Sequence, residues 1–434
     1  MVYAAVLALY RLLWVPSLPL VLGYFWLRGR RDPAYRQHMA ERFGFGASLA
    51  GAVWVHAVSL GEMRSAAPLV RALLDRGERV VTTHLTPAGR RAAETAFAAD
   101  IAAGRMVVRY LPLELGFAYR RFLRQRPKLA LVMEIEVWPV MIAEAARAAV
   151  PLVLTNSQYP ARSFARDRWL ARVIGHPVAR VAAVLAKSET HAARFRNLGA
   201  RAVEVCGELR FDQPIAPHLL AAASALRRSV GDRKVVALAS VVEGEDSLYL
   251  GAIRALQQSA GGNPPLVVYV PRASERFDPV AELLEAEGQR VQRRSQLLDA
   301  ALLANPIPDL RQTDILLGDS MGEMYFYLAL ADLVVVGGGF LPSGAHNVIE
   351  PLALAKPVLT GPEVWSIEYP GVEAVAAGAL EICATAKVLA DRMAVLLGDS
   401  AAMAQKAAKG QAFFAGCSGA TGRTLAALAR LGLI

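Results

Sequence analysis

The sequence predicts an α/β protein of two doubly wound domains behind an N-terminal membrane-associated segment. Three observations carry this prediction. From Val53 onward short apolar runs alternate with helix-periodic stretches, the pattern of parallel sheets covered by helices. The alternation comes in two series, divided by the proline-containing stretch 213–233, "QPIAPHLLAAASALRRSVGDR". The first 27 residues hold one charge, Arg11. A chain of 434 residues has room for two or three domains and a large core.

The N-terminal segment, 1–31, reads "MVYAAVLALYRLLWVPSLPLVLGYFWLRGRR". About 20 apolar residues suffice to cross a bilayer core. Trp14, Tyr24, Phe25 and Trp26 suit an interfacial belt, and Arg28, Arg30 and Arg31 suit a cytoplasmic flank. Arg11, Pro16 and Pro19 weaken a simple span. Three readings remain: a membrane anchor or embedded hairpin, a buried amphipathic helix, or a signal peptide. The last lacks a basic start and a small-residue cleavage site. The first places everything after Arg31 in the cytoplasm.

Strands are expected at 52–58, 79–83, 106–110, 129–133, 151–155, 181–186 and 202–206. A second series is expected at 234–239, 265–270, 314–317, 332–336 and 357–360. Helices between them include 63–76, 114–125 and 137–148. The expected boundaries are 1–31 for the membrane segment, 32–212 for the first doubly wound domain and 213–412 for the second. A final helix, 413–434, is expected to pack back on the first domain.

A formal charge of +10 calls for an anionic partner: nucleic acid, anionic lipid or a phosphorylated small substrate. No Cys/His finger and no aromatic RNA-binding signature occurs, so no nucleic-acid partner is expected. Cys206, Cys383 and Cys417 lie far apart, and the histidines show no H-x-x-x-H pairing. Neither a disulfide framework nor a bound metal is expected, and a reducing compartment follows. Arg120, Arg121, Arg124 and Arg126 read as a solvated helix face or as an acceptor site.

The chemistry concentrates at strand exits. Ser59-Leu60-Gly61-Glu62-Met63 follows the first strand and recurs as Ser320-Met321-Gly322-Glu323-Met324. S-x-x-E before an apolar helix is a capping box, and Asn347 with Glu350 fits the same reading. Yet Gly61 opens the backbone to a ligand, and helix starts attract anions. Glu62 is therefore a cap, a catalytic carboxylate, or both, with one carboxylate oxygen kept for a substrate. Glu134 and Glu136 stand at another strand exit, where packing explains two carboxylates poorly. Pro271-Arg272 ends a buried strand where an arginine can meet phosphate. "GGGFLPSGAHNVIEPLALAKPVLTGP", 337–362, joins a Gly-rich strand exit to a polar helix start. Carboxylates, an arginine and helix starts without metal ligands suit transfer from a phosphate-bearing donor. His56 and His84 fit structural roles at least as well as catalytic ones, and Trp54 and Trp138 read as core or cleft wall.

These motifs, in this order, resemble the Kdo (3-deoxy-D-manno-octulosonic acid) transferase family of lipid A and lipopolysaccharide core biosynthesis. W-x-H-x-x-S-x-G-E is seen from Trp54 to Glu62, E-x-E-x-W-P from Glu134 to Pro139, and G-x-L-K-F-D as "GELRFD" 207–212. P-R-H-x-E-R-F is seen from Pro271 to Phe277, G-D-T-M-G-E as "GDSMGE" 318–323, and G-G-H-N-x-x-E-P within "SGAHNVIEP" 343–351. The resemblance implies a GT-B fold, two Rossmann-like domains facing a cleft, with 32–212 as the acceptor-binding domain and 213–412 as the nucleotide-sugar-binding domain. It implies an inverting, metal-independent enzyme without a cofactor, for which CMP-Kdo is a substrate. The acceptor would be a phosphorylated lipid A precursor, lipid IVA, at the cytoplasmic face of the inner membrane.

It also implies roles by position. Glu62 would be the general base, and Glu134 and Arg210 would stabilise the transition state. Pro271, Arg272, Met321, Gly322, Glu323, Asn347, Val348, Ile349 and Glu350 would bind the nucleotide. Ser59, Gly61, Glu136, Ser240, Gly344 and His346 are additional candidates. The chain departs from the family pattern at Asn156–Pro160, at "SVVEGE" 240–245, at Ala273 and at Ala345. Two other readings stand beside this one: a GT-B transferase using another nucleotide sugar, and a degenerate paralogue that binds CMP or lipid without turnover.

Overall fold

The computed structural model describes residues 2–304 and 308–434; Met1 and 305–307, within the expected 1–31 and 213–412 segments, lie outside the described residues. The chain forms two compact units, Met1–Gln213 with Ser418–Ile434, and Pro214–Cys417.

Unit 1 begins with one unbroken helix, Val2–Arg31, that carries Pro16 and Pro19 inside it. It is long and apolar enough to cross a membrane, about 45 Å at 1.5 Å per residue. The hairpin alternative is therefore not the structure, and neither is the buried helix, since only Phe25 and Gly29 are buried. The helix is held to unit 1 along its length. The Arg180 guanidinium stacks 4.0 Å from the Tyr3 ring. Arg11 pairs with Glu144 at 2.8 Å. Trp14, Leu18, Val21 and Phe25 pack with Leu113, Leu115 and Ala118, and the fully buried Arg42 stacks 4.0 Å from the Phe25 ring. The other face is apolar and exposed: Leu12 is 67% accessible and Leu20 77%.

The first sheet comprises β1 (Val53–His56), β2 (Val80–His84), β3 (Met106–Tyr110), β4 (Leu129–Met133), β5 (Leu152–Ser157), β6 (Ala183–Ala186) and β7 (Val203–Val205). All pairs are parallel, in the order β3-β2-β1-β4-β5-β6-β7. β1 to β4 are almost entirely buried, which is why they read as near-continuous apolar runs. The strand order reverses between β1 and β4. In such sheets the exits of these two strands diverge and leave a crevice where ligands collect. After leaving unit 2 the chain returns in helix Ala420–Arg430. Its Leu425 and Leu428 join the core of Met63 and Leu69, and the Asp212 carboxylate accepts from the Gly419 N–H at 2.6 Å.

The second sheet comprises β8 (Val235–Val241), β9 (Leu266–Pro271), β10 (Val291–Arg293), β11 (Ile315–Leu317), β12 (Leu333–Val336), β13 (Val358–Thr360) and β14 (Leu380–Ile382). It is also parallel, in the order β10-β11-β9-β8-β12-β13-β14, and reverses between β8 and β12. Two doubly wound α/β units are the class the sequence predicts. The expected strands are present; β10 and β14 were not expected. Both are three-residue edge strands. β10 is only half-buried, so neither shows a long apolar run.

Candidate active site

In unit 1 the candidate residues gather at the reversal point. The chain leaves β1 at His56, passes through Val58 and enters helix Leu60–Asp75 with Ser59 as its N-cap. Ser59 Oγ accepts from the Glu62 N–H at 3.4 Å and donates to Glu62 Oε1 at 3.1 Å. Glu62 Oε2 accepts from the Val58 N–H at 2.8 Å. This is a capping box displaced by one residue, because the glutamate reaches the N–H before the cap rather than that of the cap. The expected free oxygen is absent: each oxygen already takes one hydrogen bond and keeps its second lone pair. Among the described residues no cation pairs with Glu62. Burial pushes its carboxyl up to about 7, against the Val58 N–H, and the charges of Glu136 and Glu134 push the same way. A carboxyl poised there can take a proton near neutral pH.

Beyond β4, Glu134 adopts φ +60. Its Oε1 accepts from Lys187 Nζ at 2.7 Å and Asn156 Nδ2 at 2.9 Å. The Lys187 side chain is fully buried and also pairs with Glu208 at 2.7 Å. Asn156 Nδ2 reaches Glu208 Oε1 at 3.0 Å, and Arg210 pairs with Glu208 at 3.3 Å. Burial raises the Glu134 carboxyl, and Lys187 only partly offsets it. Burial acts the same way on Glu208, but there the charges of Arg210 and Lys187 outweigh it and hold the carboxyl below its ordinary range. Glu136 is raised by burial against a 2.5 Å hydrogen bond from Trp138 Nε1. Unit 1 thus brings Glu62, Glu134, Glu136 and Arg210 into one electrostatic cluster.

Lys187 and Glu208 were missed by sequence reasoning. Lys187 had a signal, a lone lysine ending the apolar run "AVLA"; Glu208 had none beyond lying inside "GELRFD". His56 and His84 are buried, and burial lowers them to about 4 and about 3. His56 Nδ1 lies 3.0 Å from Thr83 O and His84 Nδ1 2.7 Å from Ala57 O, so both are neutral struts between strand ends.

In unit 2 the exits of β8 and β12 approach each other as backbone. A Cβ on Gly337 would meet Ser240 O at 2.6 Å, so only glycine fits. Ser240 itself has φ +62. Glu245, fully buried, draws the two exits together by accepting from Gly338 N at 2.7 Å, Phe340 N at 3.2 Å and Val242 N at 3.3 Å. Pro271 is buried at the end of β9. Arg272 is exposed, with its N–H bonded to Val241 O at 2.8 Å. β9 ends at Pro271, so Arg272 stands just past the buried strand with its side chain exposed. Burial and the charge of Arg272 lower His346 to about 4, which keeps the imidazole neutral.

The second S-x-G-E turn differs from the first. Its helix, Met324–Leu330, starts after the glutamate, and Glu323 itself is the N-cap residue. Glu323 Oε1 pairs with Arg294 at 2.5 Å and Oε2 accepts from Ser320 Oγ at 2.5 Å. Gly322 has φ +86, and Met321 is 63% exposed. The expected capping box is not formed. Nor is one formed at Asn347: helix Ile349–Ala353 has Val348 as its N-cap, and Asn347 Oδ1 accepts from the Ile349 N–H at 2.9 Å in a two-residue turn. Val348 and Ile349 are buried, Glu350 lies in the first turn, and Gly344 (φ +83) would meet Ser366 Oγ at 2.5 Å if it carried a Cβ. Among the described residues no group of three or more His, Cys, Asp or Glu could hold a metal ion.

Residues 37–213 match the family model described as 3-deoxy-D-manno-octulosonic-acid transferase (kdotransferase). The 3-deoxy-D-manno-octulosonic acid transferase of Bordetella pertussis is 40% identical over 94% of this chain and 96% of its own length. The enzyme of that name from Haemophilus influenzae is 32% identical over 87% and 88%. Among solved structures, the UDP-GlcNAc 2-epimerase of Neisseria meningitidis superposes with a TM-score of 0.56 at 12% identity, over 87% of this chain and 100% of its own, a likeness of fold. Relatives this similar over nearly the whole chain settle the family: the chain belongs to the 3-deoxy-D-manno-octulosonic acid (Kdo) transferases, a family of glycosyltransferases.

Proposed function

We propose that this chain moves Kdo from CMP-Kdo to a phosphorylated lipid A precursor at the cytoplasmic face of the inner membrane. The observation that carries the reading is Glu62: a half-buried carboxylate at the reversal point of unit 1, raised to about 7 and paired with no cation among the described residues. In this reading Glu62 takes the proton from the acceptor hydroxyl as the oxygen attacks the anomeric carbon of Kdo. That transfer needs the hydroxyl within about 3 Å of one of its remaining lone pairs. The bond to CMP breaks, the sugar becomes oxocarbenium-like and the leaving phosphate gains charge.

Arg272, exposed and close enough to His346 to shift it, is the cation offered to the phosphate. The turns at 321–323 and 347–350 hold the nucleotide, with Gly322 and Gly344 keeping side chains out of the way. Arg210 and Glu134 act as one group, since Lys187 and Glu208 fix both; Arg210 in place of lysine keeps the charge with a wider donor fork. The exposed apolar face of helix Val2–Arg31 lies in the membrane interface, in reach of a lipid acceptor.

The test is incubation of the full chain with CMP-Kdo and lipid IVA, read by mass spectrometry. The expected product carries added Kdo and released CMP. CMP binding without any product would make the chain a non-transferring paralogue, and product from a different nucleotide sugar alone would make it another transferase.

A further inference from the structure

Helices Gly116–Phe122 and Pro139–Arg147 flank a cavity of about 430 Å³ that the carboxylate cluster and the nucleotide residues leave unused. Arg120, Arg121, Arg124 and Arg147 line it, with Phe117 and Glu144. Apart from Phe117, these residues lie in the C-terminal halves of the two helices or just beyond. Glu134 and Glu136 stand before the N-terminus of the second helix, so the cavity lies at the opposite end of that helix from these two carboxylates.

Basic residues near a helix C-terminus are ordinary, because they complement the dipole. That account does not explain their convergence on a concavity around a buried acid. The Glu144 side chain is 1% exposed and takes Arg11 at 2.8 Å, Arg120 at 3.3 Å and Arg147 at 3.4 Å. One carboxylate thus orders three guanidinium groups. Arg121 donates to Phe43 O at 2.8 Å and stacks 3.8 Å from the Phe45 ring. Arg124 has no partner among the described residues. Four arginines against one carboxylate leave the lining strongly positive.

The neighbour of this cavity is the membrane candidate itself. Arg11 belongs to helix Val2–Arg31, whose outer face exposes Leu12 and Leu20. A helix of this kind sinks its apolar face about 5–10 Å into the boundary between headgroups and acyl chains. Groups bound to its protein side then stand among the headgroups. Guanidinium forks match phosphate oxygens in pairs.

We propose that this cavity binds the phosphate of an anionic glycerophospholipid headgroup, one that does not react, and so fixes how unit 1 sits on the bilayer. The inference rests on the membrane reading above. The full chain is titrated with vesicles of phosphatidylcholine alone and with phosphatidylglycerol added. The variant Arg120→Gln/Arg124→Gln is compared with Arg166→Gln/Arg168→Gln, which removes equal charge from helix Ala161–Ile174, none of whose residues is buried. Melting curves check folding; if the first variant unfolds, Arg124→Gln alone replaces it.

The cavity variant should lose roughly tenfold in its preference for phosphatidylglycerol and the control about twofold at most, since each basic group near an anionic surface contributes on that scale. Binding to neutral vesicles should stay equal in all three. Equal losses in both variants, or none, overturn the proposal in favour of diffuse charge. Displacement from vesicles by soluble glycerol phosphate reassigns the cavity to a free phosphate ester and overturns it too. So does a rise in KM for a detergent-dispersed acceptor confined to the cavity variant. Failure of the wild-type chain to bind either vesicle overturns the membrane reading itself.

Discussion

The turn at Ser59–Glu62 and the turn at Ser320–Glu323 share one spelling, S-x-G-E-M, and a bond from the motif's serine hydroxyl to its glutamate, and differ in the other partner each glutamate has. The first caps a helix with Ser59, and its Glu62 meets only the Val58 N–H and the Ser59 hydroxyl. The second caps its helix with Glu323 itself, whose carboxylate is held by Arg294 and Ser320. The first follows β1, at the point where the strand order reverses; the second follows β11, two strands away from its own reversal point. A short motif therefore does not determine the surroundings of its glutamate. Groups brought in from other elements do: an arginine near one turn, two further carboxylates near the other. The first glutamate is kept close to neutrality and can accept a proton. The second is tied to Arg294 and Ser320 and has a structural reason to be where it is.

The largest effect is expected at Glu62. Glu62→Gln keeps the acceptor for the Val58 N–H and can donate to Ser59 Oγ in place of accepting from it, but cannot accept the proton, so transfer should fall about 10²–10⁴-fold. In the wild-type chain kcat/KM should rise with pH and level off above about 7, where Glu62 is ionised. The stability sign is opposite to that of a salt-bridged acid. Folding raises this carboxyl, so ionisation in the native state carries a cost that starts above the unfolded value, 4.5, and is complete above about 7. The Gln variant lacks that cost and should melt no lower than wild type at pH 8. A rate loss accompanied by a large drop in melting temperature would reduce Glu62 to a cap.

Glu323→Gln should do the reverse. It leaves Arg294, 7% exposed in its side chain, without its anion. Stranding a buried charge costs about 3 kcal/mol. Unit 2 should melt earlier and CMP should bind more weakly, while kcat at saturating donor stays within a few-fold of wild type. Calorimetry and steady-state rates separate these. If Glu323→Gln instead abolishes turnover with unchanged melting, the contrast between the turns is wrong.

What the sequence made legible follows the same division between local and distant causes. β1, β4, β9 and β12 are buried at every position, so their composition alone marks them. Glu62, Glu134 and Glu136 stand out because a carboxylate after such a run has no packing reason to be there. The Lys187 ammonium sits between Glu134 and Glu208 only because β4, β5, β6 and β7 lie side by side in the sheet, and spacing in the chain does not encode that. The N-terminal helix was legible as apolar. Its attachment along unit 1 was not, because it depends on Arg11 meeting Glu144, 133 residues away. The three capping boxes were equally plausible as letters. One formed, and that one with a shifted partner, because Glu323 was drawn to Arg294 and Asn347 turned onto the Ile349 N–H.

The smallest effects are expected at the two serines, and they test the contrast most finely. Ser59 Oγ accepts the Glu62 N–H at the start of a 16-residue helix, so Ser59→Ala should cost about 1 kcal/mol in a urea melt. The same hydroxyl donates to Glu62 Oε1 and favours the ionised carboxyl. Without it the carboxyl rises further, and the acidic limb of the pH–rate profile should move to higher pH while the plateau rate is kept. Ser320→Ala removes no cap, since Glu323 occupies that position, and leaves Arg294 on the carboxylate. Its pH–rate profile should superimpose on that of wild type. Matching shifts in both variants would mean that both glutamates titrate in the reaction; a shift in Ser59→Ala alone makes Glu62 the group whose proton the rate follows.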